Sequence, residues 1–93
     1  MSYEFDWDPE KAEANRRKHD VTLHEASTVF ADPLAMLMHD PDHSVGEERY
    51  LVLGASSTGR LLVVSHAERP SRTRLISARP ATRNERKHYE QDT

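Results

Sequence analysis

The chain has 93 residues, a length that suits one domain with one modest hydrophobic core. It has no cysteine, which excludes disulfide bonds, thiolate chemistry and cysteine metal sites. The formal net charge of −3 disfavours general nucleic-acid binding, but the charge is uneven. Residues 1–59 carry five Lys or Arg against twelve Asp or Glu, and residues 60–93 carry eight against four. This asymmetry indicates either a basic functional face on an acidic body or a dipolar surface of solvated charges.

The first elements are predicted from side-chain alternation and from helix caps. Residues 3–7 alternate aromatic and acidic side chains, which indicates a short, half-buried strand. The aspartate before Pro9 is suited to cap a helix that runs from Pro9 to about His19. Thr22 and Glu25 have the spacing of a capping box for a second helix, which ends at the next proline. We therefore predict an N-terminal helical hairpin.

The middle of the chain indicates strands that are separated by short turns. Four segments favour strands, namely residues 34–39, 49–55, 60–67 and 72–79. The short connections imply an antiparallel meander, so we expect a twisted antiparallel sheet of about four to five strands. Thr82 and Glu85 form another capping box, which opens a C-terminal helix to about Gln91. The predicted fold class is α+β, with a single domain over residues 1–93.

Cations flank the junction between the last predicted strand and the C-terminal helix. Strict alternation would place Arg74 and Arg79 on opposite faces of that strand. Arginine offers a planar fork of donors that suits phosphate, and a helix N-terminus adds free backbone N–H groups. Arg79, Arg83 and the helix start therefore predict a phosphate site. The alternative is ordinary ion pairing of Arg79, for example with Glu85.

Titratable side chains near strand ends are candidates for acid–base chemistry. His39 and His66 are predicted to lie at strand ends, where histidine can exchange protons near neutral pH. Glu48 and Arg49 open a strand, and only one of these neighbours can face a given site. The Asp-x-Asp-His motif at residues 40–43 lacks a rigid scaffold, so a solvated turn is the better interpretation than a metal site. We expect neither a metal nor a cofactor.

Several short motifs occur in a defined order along nearly the whole chain. They are Phe5-Asp6-Trp7-Asp8-Pro9, Asn15-x-x-Lys18-His19, Phe30-x-Asp32-Pro33, Glu48-Arg49-Tyr50, Gly54-x-Ser56 and Ile76-Ser77-Ala78-Arg79-x-Ala81-Thr82-x-x-Glu85-x-x-x-Tyr89. By this set the sequence resembles the BrnT family. The resemblance implies a RelE-like fold and a ribonuclease toxin of a type II toxin–antitoxin pair, which blocks translation.

A RelE-like ribonuclease needs no metal, because the 2′-OH of the substrate attacks the adjacent phosphate. The resemblance does not fix individual roles, so residue type and position predict them. For phosphate stabilisation the candidates are Arg79 and Arg49, and for proton transfer they are His66, Glu48 and Lys18. RNA contacts are expected from cations and a tyrosine on the last strand and helix, namely Arg74, Arg83, Arg86, Lys87 and Tyr89.

The resemblance also implies partners. They are an RNA substrate and a BrnA-like antitoxin in a hetero-oligomer, and operator DNA would be contacted only indirectly through that antitoxin. The acidic N-terminus lacks an apolar signal core and no apolar run is long enough to span a bilayer. We therefore expect a cytoplasmic protein without a membrane partner.

Two other functions are consistent with parts of the sequence. One is a non-catalytic protein-binding module with a basic face. The other is a small DNA-binding regulator, which is disfavoured because the helix at residues 83–89 is short and mixed in charge. Two features depart from the family pattern: Asp20 stands where the family commonly has glycine, and the net charge is acidic where RelE-like toxins are strongly basic.

Overall fold

The structure, a computed structural model, describes residues 4–44 and 46–91. The described chain runs through β1 (Phe5–Asp6), α1 (Pro9–His19), α2 (Leu23–Ser27), β2 (Met36–His39), β3 (Arg49–Ala55), β4 (Leu61–Glu68), β5 (Thr73–Pro80) and α3 (Arg83–Gln91). Single turns of 3₁₀ helix follow α2 at Thr28–Ala31 and β2 at Pro41–His43. The predicted α+β class and the C-terminal helix are confirmed. Part of the predicted first strand, Tyr3, lies outside the described residues.

The strands form one mixed sheet in the order β1-β5-β4-β3-β2. The meander from β2 to β5 is antiparallel, as predicted. β1 instead pairs in parallel with β5, so the prediction of a wholly antiparallel sheet was wrong. The reason is that α1, α2 and three strands separate β1 from β5 in the chain, and such a long connection permits a parallel pair.

Both faces of the sheet are covered by helices. The face toward α1 and α2 buries the larger apolar cluster: Val21, Leu23, Ala26, Val29, Val52, Leu62, Val64, Leu75 and Ala78. On the other face, Leu53, Leu61 and Val63 are buried, and Tyr89 of α3 packs against them. α3 covers only the part of this sheet face around Leu53, Leu61 and Val63. The first residues of β3 and the last residues of β4 are therefore not covered by α3.

The helix starts match their predicted caps. Asp8 accepts a hydrogen bond from a backbone N–H of the first turn of α1 at 2.9 Å. Thr82 and Glu85 form a reciprocal capping box, with bonds of 3.2 and 2.8 Å. At α2 only half of the box forms, because Thr22 accepts from the backbone of Glu25 at 3.0 Å while the carboxylate of Glu25 turns elsewhere.

A buried amide joins α1 to the part of β5 that extends beyond its pairing with β1. Asn15 is 6% exposed and donates to the carbonyl oxygens of Val21 and Ala78, both at 2.9 Å. It also accepts from the backbone N–H of Ala78 at 3.0 Å. Asp20 ends α1 in the left-handed conformation, with φ 56°, which turns the chain back so that these groups meet.

A β-bulge changes which side chains of β5 share a face. Ser77 pairs with Ser65, but Leu75 pairs with the next residue of β4, so Ile76 has no partner in the register. The extra residue puts Arg74 and Arg79 on the same face, the one that α3 covers. The expectation that strict alternation separates these two arginines was therefore wrong.

Candidate active site

Aromatic and titratable side chains meet where β3 begins and β4 ends. Tyr50 lies opposite His66 in the register, and the two rings stack with centroids 5.9 Å apart. On the other side of Tyr50, the ring of His39 approaches edge-on at 5.6 Å. Phe30 meets His66 edge-on at 4.9 Å. These contacts make a continuous row of rings across three strands.

Each histidine of this row has a carboxylate partner, but the two pairs differ in exposure. His39 Nε2 contacts Glu48, and the two side chains are 47% and 66% exposed. His66 Nε2 lies 3.5 Å from a carboxylate oxygen of Glu68, and the histidine is only 1% exposed. Burial lowers the pKa of His66, although the Glu68 charge acts in the opposite direction. The outer pair is therefore accessible to a substrate, and the inner pair favours a neutral imidazole.

A cleft of about 580 Å³ opens beside these rings. Its walls are formed by Phe30, Asp32, Ala35, Leu37, Tyr50, Val52, His66 and Glu68. Asp32 is already satisfied, because it accepts from the Tyr89 hydroxyl at 2.6 Å and from the backbone N–H groups of Ala55 and Leu34 at 2.8 and 2.9 Å. Burial opposes the ionisation of Asp32, but these hydrogen bonds outweigh it and lower its pKa. Asp32 thus has a structural role in the cleft wall.

Arg49 lies at the same end of the sheet but leaves it on the α3 side. It pairs in the register with Ala67, and Ala67 pairs on its other edge with Arg74. The two arginines therefore stand two strands apart, about 10 Å between their Cα atoms. Arg74 also lies 3.5 Å from the Asp6 carboxylate, which takes part of its charge. Arg49 and Arg74 therefore place two cations on the α3 side of the sheet.

Arg79 is held in a two-pronged ion pair. Its guanidinium donates to both carboxylate oxygens of Glu85, at 2.8 and 2.9 Å. These hydrogen bonds lower the pKa of Glu85 to about 2. Arg79 lies four register positions from Arg74 along β4, or roughly 13 Å. The ion-pair alternative for Arg79 is thus what the structure contains, and its catalytic role stays a prediction.

The remaining predicted side chains are spread over two helices. Lys18 is exposed on α1, where it lines a groove of about 300 Å³ with Ile76 and Ser77 of β5. Three cations are exposed on α3, namely Arg83, Arg86 and Lys87. Tyr89 is half-buried and its hydroxyl is bound to Asp32, so its expected RNA contact stays a prediction. Of the five catalytic candidates, the structure brings Glu48, Arg49 and His66 to one sheet end and places Arg79 and Lys18 elsewhere.

A family model described as "Ribonuclease toxin, BrnT, of type II toxin-antitoxin system" matches residues 7–85. The chain belongs to the BrnT family. The crystal structure of the Brucella abortus ribonuclease toxin BrnT matches the fold with a TM-score of 0.67 and 18% sequence identity, covering 88% of this chain and 100% of that chain. No curated protein sequence matches the chain significantly.

Membership in the BrnT family confirms the resemblance and the ribonuclease-toxin class that was predicted. Within residues 4–44 and 46–91, no group of three or more His, Asp or Glu side chains is arranged to hold a metal ion. No described helix is long and apolar enough to cross a membrane.

The sequence of this BrnT-family chain indicated that His39 could exchange protons but gave it no role in the site, and it did not single out Glu68. Glu68 follows His66 by two positions, and alternate residues of a strand share a face, so the spacing predicts that these two side chains lie close together. For His39 the signal was weaker. Its pairing with Glu48 depends on the register of β2 against β3, which the sequence does not display.

Proposed function

We propose that this chain is an endoribonuclease of the mRNA-interferase type, with a RelE-like fold, that cuts RNA by metal-independent attack of the 2′-OH. One structural observation in particular supports this proposal. An exposed histidine–carboxylate pair, His39 with Glu48, lies at the open sheet end where β3 begins, and Arg49 leaves that end on the opposite face. Such a pair can move protons near neutral pH, and the arginine can bind a phosphate.

The proposed reaction keeps all atoms within the RNA. A base removes the proton from the 2′-OH, the oxygen attacks the adjacent phosphorus, and the bond from phosphorus to the 5′ oxygen breaks. An acid then protonates that 5′ oxygen, and the products carry a 2′,3′-cyclic phosphate and a 5′-OH. We assign proton transfer to the His39–Glu48 pair. Arg49 leaves the same sheet end on the opposite face, so its proposed contact is with a neighbouring phosphate of the RNA. His66 is nearly buried, so its proposed role is to position Tyr50 and Glu68.

Cations along the β5 side of the molecule are proposed to bind the RNA backbone. They are Lys18 on α1, Arg74 on β5, and Arg83, Arg86 and Lys87 on α3. Arg79 and Tyr89 are proposed as weaker contributors, because Glu85 and Asp32 already occupy their polar groups. Phosphate contacts of this kind provide affinity without reading sequence.

The type II family implies an antitoxin partner for this chain. We propose that this partner is a BrnA-like protein, that it neutralises the toxin in a hetero-oligomer, and that it alone contacts operator DNA. We also propose that the pair acts in the cytoplasm, where the RNA substrate is translated.

A second candidate function is a non-catalytic protein-binding module. Exposed apolar side chains near β2 favour it, because Leu34, Leu37 and Met38 are 49%, 65% and 40% exposed. In the proposed toxin the same side chains would contact the antitoxin, so their exposure does not separate the two functions.

An RNA-cleavage assay on antitoxin-free protein tests the proposal. We expect cutting in the presence of EDTA, products that end in 2′,3′-cyclic phosphate, and no cutting where the sugar at the cut site is 2′-deoxyribose. His39→Gln should lower kcat/KM by about 100-fold, in the range of a lost acid–base group. His43→Gln is the matched control, because the exposed His43 forms another histidine–carboxylate pair, with Asp40 at 2.9 Å. Intact RNA with the wild-type protein would favour the binding module.

A further inference from the structure

The cleft beside Tyr50 is large and is lined mainly by apolar and aromatic side chains, features that a proton-transfer pair does not need. Its volume of about 580 Å³ lies within the roughly 300–1,000 Å³ that is common for small-ligand sites. No lysine or arginine is among the described residues that line it, and its charged groups are the carboxylates of Asp32 and Glu68. Such walls repel a phosphate but accommodate a flat, uncharged ring system.

We propose that this cleft is a nucleobase subsite that takes guanine from the nucleotide next to the cut. The inference rests on the proposed ribonuclease function. RNA-binding proteins hold single-stranded bases by stacking on aromatic rings and by hydrogen bonds to the Watson–Crick edge. The cleft supplies the half-buried ring of Tyr50 as an aromatic wall and the apolar side chains of Leu37 and Ala35 beside it.

Glu68 is the side chain that selects the base. Its carboxylate is 54% exposed, and Thr73 donates to it at 3.1 and 3.3 Å, which fixes its orientation and leaves lone pairs available. Guanine presents two N–H donors side by side, which match the two oxygens of a carboxylate. Adenine and cytosine present one amine beside a ring acceptor, and uracil presents one N–H between two carbonyl oxygens. Both arrangements leave a carboxylate oxygen facing an acceptor.

Two further observations support a site that is built around Tyr50 and Glu68. His66 lines the cleft and is 1% exposed. It stacks on Tyr50 and contacts Glu68 through Nε2, so it positions both groups. Asp32 cannot read a base in the same way, because it already accepts three hydrogen bonds.

The test uses four DNA oligonucleotides that each contain a single ribonucleotide as the only cuttable position, with G, A, C or U at that position. We expect wild-type kcat/KM to be at least about tenfold higher for G than for the other three bases. Glu68→Gln keeps the shape but replaces an acceptor by a donor, so the preference for G should disappear. Glu47→Gln is the matched control, since Glu47 is a nearby carboxylate paired with Arg69 at 3.2 Å outside the cleft. It should retain the preference.

Nucleotide binding is measured in parallel, so that the subsite proposal can be tested even if the protein cuts no RNA. Guanosine 5′-monophosphate is titrated into the protein and followed by NMR at Tyr50 and His66, with uridine 5′-monophosphate as the comparison. Shifts with the guanine nucleotide in wild type, and their loss in Glu68→Gln, would support the subsite even if no RNA were cut. Equal responses to both nucleotides, or a preference for G that survives Glu68→Gln, would overturn it while leaving the ribonuclease proposal to its own test.

Discussion

Glu25 links the turn before β4 to the start of α2. Its carboxylate accepts from the guanidinium of Arg60 at 2.5 and 3.0 Å and from the hydroxyls of Ser56 and Thr58, each at 2.7 Å. The Arg60 hydrogen bond is the largest cause of a pKa of about 2. The sequence predicted Glu25 as a capping-box residue, and the structure uses it instead to join elements that are far apart in the chain.

We expect the Glu25 contacts to make stability fall in acid. Because the pKa is depressed from 4.5 to about 2 in the folded protein, the stabilisation is complete above pH 4.5 and is lost as the pH falls toward 2. Glu25→Gln should lower the free energy of unfolding at pH 7 by about 1–3 kcal/mol and make the acid loss shallower. Urea unfolding at pH 7 and pH 3 measures both effects. Glu13→Gln, an exposed ion-pair partner of Arg16, should change neither.

Asn15 is expected to be the most costly polar side chain to truncate in α1. Asn15→Ala would leave two carbonyl groups and one N–H without partners in a buried place, at a cost of about 2–4 kcal/mol. Thermal unfolding followed by circular dichroism measures the loss. Asn84→Ala on the exposed surface of α3 is the control and should be close to neutral. Equal losses in the two variants would mean that Asn15 does not hold α1 to β5.

At the scale of elements, the sequence predicted the features that depend on residues close together in the chain. The caps before Pro9 and at Thr82 were predicted because a cap depends on residues within one turn of each other. The parallel pairing of β1 and the bulge at Ile76 were not predicted, because both depend on contacts between distant segments. The bulge mattered for the site, since it brought Arg74 and Arg79 to one face.

Arg79 on β5 joins α3 to the sheet through its ion pair with Glu85. If its role is that of a structural partner for Glu85, Arg79→Ala and Glu85→Gln should each destabilise the fold by about 1–3 kcal/mol, and each should keep most of the cleavage rate. Urea unfolding and cleavage at a temperature where both variants are folded separate the two roles. A loss above about 100-fold in kcat for Arg79→Ala alone would assign the arginine to transition-state stabilisation.

At the scale of the molecule, the uneven charge of the sequence becomes an uneven surface. Exposed cations lie on α3, while Glu47, Glu48 and Glu68 lie toward the ends of β3 and β4 nearest the candidate site. The sequence indicated either a basic face or a dipolar surface of solvated charges. It could not place the proton-transfer pair, because the contact of His39 with Glu48 requires the register of two strands.

RNA binding should depend on salt through the α3 cations. Replacing Arg83, Arg86 and Lys87 together with glutamine should make the slope of log K against log salt shallower by about 2, from roughly 0.7 for each phosphate contact. Fluorescence anisotropy with a labelled single-stranded RNA measures the slope. The control is Arg16→Gln with Arg17→Gln on α1, both of which pair with Glu13. An unchanged slope in the triple variant would place the RNA on another surface.

RNA is proposed to be cut at the sheet end where Glu48 pairs with His39. Comparison of Glu48→Gln with Glu47→Gln tests it most directly, because the two glutamates are neighbours and each contacts a nitrogen-bearing side chain, Glu48 with His39 and Glu47 with Arg69. We predict that Glu48→Gln lowers kcat/KM for RNA cleavage by about 100-fold, while Glu47→Gln stays within about threefold of wild type. Equal rates for the two variants would contradict the assignment of the cleavage site to this sheet end.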